Sequence, residues 1–271
     1  MRKQDDAQQI MSNEIKSHSD TASTFDELYY QYRKSRFSTV FAYGRSKIHE
    51  LLFDSTKTLP TAGKILDVGA GTGEQTYLLR QRGFTVYALE PAHKMRTIAK
   101  KRNPNTDILG GSALDMPFRD NIFDMILAIE VLRYLHPNHQ QESLNQIHRV
   151  LKPGGVFFAT LVSRYSLDDV AYYHFKRLKN QLSHSSQLYS DFTTPASYTQ
   201  SLLQHGFNDI QWHAKMSTLL RIIYILNRRI GESLAPKFEK LEDRILKKKF
   251  ISLFCGHLTF TAKAKKDKSK R

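Results

Sequence analysis

The residues best placed to do chemistry fall in one short stretch, KILDVGAGTGEQ at residues 64–75, where an apolar run containing Asp67 passes directly into glycines at 69, 71 and 73. Glycine lacks a Cβ, so this spacing lets the backbone turn tightly and approach a ligand closely. The spacing also selects among ligands. A dinucleotide fingerprint needs Gly or Ala at its sixth position, and counting from Gly69 places Glu74 there. A pyrophosphate would meet that carboxylate where the helix N-terminus otherwise favours an anion, which argues against NAD and FAD. A triphosphate loop is excluded, because no G-x-x-x-x-G-K-[ST] occurs at this turn. A second carboxylate, Glu90, ends the apolar run FTVYAL just before Pro91.

Positioning such a site requires strands that end beside one another. The runs KILDV, FTVYAL, TDIL, FDMILAI and GGVFFATLV alternate with helix-compatible segments near 73–81, 92–101 and 139–150. This is the rhythm of a parallel sheet with helical crossovers. The fold class expected is α/β: a Rossmann-like, doubly wound, mostly parallel sheet of about seven strands, with N-terminal cap helices and a helical C-terminal insertion. Residues 1–22 are polar and without apolar periodicity, and read as a flexible tail. Residues 23–264 read as one domain: cap helices over 23–60, a ligand-binding core over 61–162, and substrate-side insertions with the last strands over 163–264. An edge strand is expected near 208–214 and a final one near 257–264. Residues 265–271 read as a frayed basic tail.

From Ile65 to Gly73 the sequence resembles the first motif of the class I S-adenosylmethionine-dependent methyltransferase family, [VIL]-[LD]-[DE]-x-G-x-G-x-G. The likeness continues in order through Glu90 in YALEPA, GSALDMPF at 111–118, the strand in NIFDMILAIEVLRYL and VLKPGG at 150–155. It is similar to the small-molecule branch that includes ubiquinone- and menaquinone-biosynthesis-like domains. The resemblance implies S-adenosyl-L-methionine as cofactor. Asp67, Gly69, Ala70, Gly71 and Gly73 would serve its methionine end, Glu90 with Pro91 its ribose, and Ser112, Ala113 and Leu114 its adenine. Ser112 departs from the family's Asp at that point, and Asp115 could replace the contact. FDELYYQYRKSR at 25–36 looks like the family's cap segment, which would put Tyr32 over the cofactor.

Ala128, Ile129, Glu130 and Val131 follow the fourth strand where amino-directed methyltransferases carry N/D-P-P-Y/F. Tyr134 and His136 come next, where either could touch the acceptor or assist removal of a proton. His136 and His139 do not make a metal site, because no carboxylate stands at ligand spacing and Pro137 intervenes. The function expected is methyl transfer to a small or lipid-like acceptor. Two alternatives stand beside it: an RNA or protein methyltransferase docking through its basic C-terminal region, and a catalytically silent module of the same fold serving a partner.

Composition bounds these readings. The 271 residues are 40% hydrophobic and 25% charged, ordinary for a globular chain. The single cysteine, Cys255, excludes an intramolecular disulfide and a cysteine-based zinc site. No run of about 18 apolar residues occurs, and MRKQDDAQQIMSNEIK is too polar for a signal peptide. A soluble cytoplasmic protein is the expectation. The net charge of +15 is weighted to one end, since residues 236–271 hold 12 basic and 4 acidic side chains. Within 217–251, apolar stretches mix with Arg221, Arg228, Arg229 and Lys247 to Lys249. That mixture suits helices at an anionic membrane surface. It suits equally a lid with solvated lysines, the plainer reading. Nucleic acid is not favoured, for want of a recognisable binding module or an aromatic platform.

Overall fold

In the computed structural model, residues 2–166, 191–215, 218–246 and 257–266 are described. Cys255 and most of the first expected insertion, 163–195, lie outside them. Three helices come first: α1 (Arg2–Asp20), α2 (Ala22–Lys34) and α3 (Val40–Thr56). The core follows as β1 (Lys64–Val68), α4 (Glu74–Arg80), β2 (Thr85–Leu89), α5 (His93–Arg102), β3 (Ile108–Leu109), β4 (Phe123–Ala128), a 3₁₀ turn (Leu132–Tyr134), α6 (Pro137–Val150) and β5 (Leu151–Ser163). The remainder is β6 (Phe192–Thr193), α7 (Pro195–Gln204), β7 (Phe207–Lys215), α8 (Thr218–Leu226), α9 (Arg228–Leu246) and β8 (His257–Ala264).

The sheet runs β3-β2-β1-β4-β5-β8-β7, with the two-residue β6 beside the end of β5. Strands β1 to β6 pair in parallel, and β8 runs antiparallel to both β5 and β7. Strand β7 forms the expected edge. The mostly parallel, doubly wound architecture is as expected, with eight strands among the described residues. Its central strands are apolar on both faces because helices cover both. Successive residues of β4 serve opposite cores: Ile126 and Ala128 pack with Leu144 and Ile147 of α6, while Met125 and Leu127 pack with Ile48 and Leu52 of α3.

Strand order reverses between β1 and β4, so the connections leaving their carboxyl ends run to opposite sides and leave a crevice, where α/β sheets bind ligands. Helix α3 closes it from one side. It is buried on two faces, Ile48 and Leu52 against the sheet and Tyr43 and Lys47 against α8 and α9.

The N-terminus differs from the sequence expectation, because residues 2–20 are a helix rather than a tail. Ala7, Met11, Glu14, Ile15 and His18 recur at spacings of three and four along one face, and Ile15 packs with Ala22, Ala92 and Met95. That stripe holds only two large apolar residues, so its periodicity is faint in a hydrophobicity reading. The C-terminal end also differs at its start. Lys265 N–H donates to Gly206 O at 2.8 Å, and Lys266 Nζ donates to the carbonyls of Arg149 and Leu151.

Candidate active site

A cavity of about 340 Å³ opens at the crevice. The turn after β1, the end of β2, the loop after β3 and the segment after β4 form its floor, and α1, α2 and α3 form its roof. The three turn glycines have different jobs. Gly71 has φ +57° and nothing within 4 Å of where a Cβ would stand, so it borders open cavity. At Gly69 a Cβ would lie 2.4 Å from Val131 Cγ2, and at Gly73 it would lie 3.0 Å from Ala99 Cα. Gly73 therefore lets α5 pack against the turn, and does not line the cavity.

Glu90 binds the same turn. Its carboxylate accepts the N–H of Gly71 at 2.7 Å and that of Ala92 at 2.7 Å, and borders the cavity. A carboxylate offers about four lone-pair positions, so acceptor capacity remains for a ligand's hydroxyls. Burial raises its pKa, and the two N–H donors oppose that rise. Asp67 also lines the cavity, accepting from Thr76 Oγ1 at 2.7 Å, with burial pushing its pKa up to about 7. Glu14 and Glu130 add two further carboxylates to the lining. Against them stands Arg45, buried, with its guanidinium 5.7 Å from the Tyr29 ring centroid and 5.1 Å from that of Phe41. It enters no ion pair among the described residues.

Residues 66–159 match the family described as "Methyltransferase domain". This segment is similar to methyltransferase domains. The wider comparisons agree. An uncharacterized methyltransferase of Synechocystis is 34% identical over 123 residues, covering 45% of this chain and 58% of that protein. A demethylmenaquinone methyltransferase of Renibacterium salmoninarum is 31% identical over 137 residues, covering 50% of this chain and 56% of that one. The matched part thus spans little more than half of either relative. Among solved structures, an S-adenosylmethionine-dependent methyltransferase of Thermotoga maritima superposes with a TM-score of 0.59 at 17% identity, covering 91% of this chain and 98% of that one. At that identity the likeness is one of fold.

Around the cavity, Asp67, Gly69, Ala70, Gly71, Glu90, Pro91, Ser112 and Ala113 come together in the lining. Leu114 does not line it; its N–H donates to Ser112 Oγ at 3.2 Å, which holds the loop in shape. Tyr32 also lies off the lining. Its hydroxyl sits 2.9 Å from His49 Nδ1, and Tyr29, one turn earlier, faces the cavity instead and accepts from Gln75 Nε2 at 2.9 Å. The two tyrosines share a helix, and only the placement of α2 decides which points inward. Tyr134 lines the cavity, whereas His136 caps α6 by accepting from Asn138 N–H. The histidine that does border the cavity is His18 of α1. It is stacked on Phe25 and meets Tyr134 edge-on at 4.9 Å. Sequence reading missed His18 along with α1.

Glu74 is buried and turned away from the cavity toward Arg33 (2.6 Å) and Arg102 (3.4 Å). It thereby ties α2 of the roof to the first helix after the glycine turn. Among the described residues, no three of His, Cys, Asp and Glu gather as a metal site would require.

Proposed function

We propose that the chain is an S-adenosylmethionine-dependent methyltransferase acting on a small, apolar or lipid-like acceptor. The observation that carries this reading is one cavity joining an open glycine turn at Gly71 to the strand-end carboxylate of Glu90. The residues present suit this cofactor. Glu90 would hold the ribose hydroxyls, Gly69 to Gly71 would border the methionine part, and Ser112 with Ala113 would flank the adenine. Asp67 faces the ammonium end, and Arg45 supplies the cation that a methionine carboxylate needs. Four lining carboxylates against one guanidinium suit a cationic ligand better than a polyphosphate. Bound there, the cofactor supplies an electrophilic methyl group on a positively charged sulfonium.

The character of the roof supports this choice of acceptor. Met11, Ile15, Phe25, Val40 and Phe41 make that side apolar, and the name of the Renibacterium relative points the same way. His18 Nδ1 lies 2.8 Å from Glu14 O. A carbonyl can only accept, so Nδ1 carries the hydrogen and Nε2 is left free to take a proton. Burial lowers the pKa of the ring, which keeps it neutral near pH 7. For a hydroxyl acceptor, His18 Nε2 takes the proton as the oxygen is methylated, and Tyr134 holds the ring in place.

The test is calorimetric titration with S-adenosylmethionine and S-adenosylhomocysteine, with NAD as control, repeated on Glu90→Gln. Binding of the first two alone, weakened about tenfold or more by the substitution, is expected. Absence of binding would leave only the fold. Labelled cofactor then screens quinone and lipid acceptors for methyl transfer.

A further inference from the structure

The C-terminal helices carry a surface that the cavity does not use. Ile222, Ile225 and Leu226 of α8 and Ile230, Phe238 and Leu241 of α9 are all exposed, Ile225 at 69% and Leu226 at 80%. They form more than half of the large exposed apolar side chains among the described residues. On α9 a second pattern runs beside them. Arg229, Lys237 and Lys240 each immediately precede an exposed apolar residue, and Arg244 continues their row. At about 100° per residue, Ile230, Phe238 and Leu241 make one stripe and the four cations make the adjoining one. All four cations are exposed.

A water-facing helix has no reason to expose this apolar stripe, and a helix buried in a protein interface has little use for a row of four cations beside it. An anionic bilayer surface meets both demands, taking the apolar stripe into its acyl boundary and the cations against its headgroups. No described helix is long and apolar enough to cross a membrane, so the helices would lie on the surface. Nucleic acid would satisfy the cations and leave the isoleucines in water.

We infer that the outer face of α8 and α9 docks the protein on anionic membranes. The face is fastened to the roof of the cavity. Tyr224 hydroxyl donates to Phe37 O at 2.9 Å, Arg228 Nε donates to Ser38 O at 2.7 Å, and Lys47 Nζ lies 2.7 Å from Glu239. Residues 37–47 contain Val40, Phe41, Gly44 and Arg45 of the lining. A docked face therefore sets the roof close to the lipid phase. Delivery of an apolar acceptor from there rests on the function proposed above; the docking does not.

The test is co-sedimentation of the full chain, without cofactor, with vesicles of phosphatidylcholine and of phosphatidylcholine mixed with phosphatidylglycerol. Binding to the anionic vesicles alone is expected, falling as salt rises. Lys237→Gln and Lys240→Gln should each lower the partition coefficient about fivefold. Leu226→Ser should lower it about tenfold or more by removing an inserted side chain. Each variant should bind S-adenosylhomocysteine as the parent chain does, so loss of docking and loss of the cofactor site are told apart. Equal binding to neutral vesicles, no binding, or unchanged partition of the variants would overturn the inference. So would a self-association or an RNA affinity, without vesicle binding, that Leu226→Ser or the lysine variants abolish.

Discussion

Glu90 accepts the N–H of Gly71 at 2.7 Å, so the carboxylate that ends β2 also fixes the turn that ends β1. The open space beside Gly71 is therefore held in shape from the neighbouring strand. A Cβ at position 71 would meet no atom within 4 Å, so valine there would take a positive φ and project into the cavity. The strain costs about 1–2 kcal/mol, a loss of a few degrees in Tm. Gly71→Val should therefore stay folded and lose binding of S-adenosylhomocysteine. Gly73→Val should instead drive its side chain into Ala99 and Asn103 of the α5 end. Overpacking and strain together predict roughly 3 kcal/mol and a fall in Tm near 10 °C. Thermal melts beside calorimetry separate the two, and a Gly71→Val protein that binds normally would remove Gly71 from the site.

Asp67 gives the site a pH dependence of defined sign. Its carboxyl is raised by burial to about 7 in the ligand-free protein, against an ordinary value of 3.8. The folded state thus holds a proton that the unfolded chain releases, so the group's contribution to stability falls as pH rises from about 4 to about 7. An ammonium group beside Asp67 favours the ionised form and releases that proton. Cofactor affinity should rise with pH up to about 7 and then level off. Titrations in buffers of different ionisation enthalpy should register proton release near pH 6. Asp67→Asn, still able to accept from Thr76, should flatten the affinity profile and raise Tm at pH 8. An unchanged profile would detach Asp67 from the ligand.

Much of this site is legible in the sequence, for a physical reason. Strand-to-turn junctions such as Val68–Gly73 and Leu89–Pro91 are local, and the backbone constraint is written in the residue types themselves. The roof is not local. Whether Tyr29 or Tyr32 faces the cavity depends on how α2 lies across α3, and α2 is tied down by pairs such as Arg33–Glu74, 41 positions apart in the chain. Helix α1 is obscure in the sequence because its inner face includes Glu14 and His18, polar residues that border the cavity and leave the stretch looking like a tail. His136, by contrast, invites a catalytic reading by its place after β4, and its side chain is spent capping α6 before Pro137.

Arg45 carries a cost that the cofactor would offset. A buried guanidinium that enters no ion pair among the described residues, with the Asp67 charge only nearby, is incompletely compensated, and the cation–π contacts return about 1 kcal/mol each at most sites. Arg45→Met keeps the volume and removes the charge. Its Tm should equal or exceed that of the parent chain, while affinity for S-adenosylhomocysteine drops roughly 30- to 100-fold through loss of a charged hydrogen-bond donor. Binding of 5′-deoxy-5′-methylthioadenosine, which has no carboxylate, should be unaffected. If both ligands weakened alike, Arg45 would be shaping the cavity and not reading the carboxylate.

His18 connects the roof to the chemistry, and its loss should show in turnover and not in cofactor binding. The ring faces Phe25, Tyr134 and the Glu14 carbonyl, with the Glu14 carboxylate 4.0 Å from Nδ1 and the Arg133 charge nearby. Burial and Arg133 both lower its pKa, and the hydrogen bond to Glu14 opposes them. Below that lowered pKa the ring holds a proton on Nε2 and cannot take another. The rate with a hydroxyl acceptor should therefore rise with pH through a value under 6.5 and be flat above it. His18→Gln keeps a hydrogen-bonding side chain without a titrating nitrogen, and should lower kcat by about 10²-fold or more while removing the acid limb. Cofactor Kd should be unchanged, since the lining carboxylates and Arg45 remain. An amine acceptor that is already deprotonated at high pH should be less sensitive to the substitution, and comparing acceptors of both kinds in one pH series separates proton removal from packing against Tyr134.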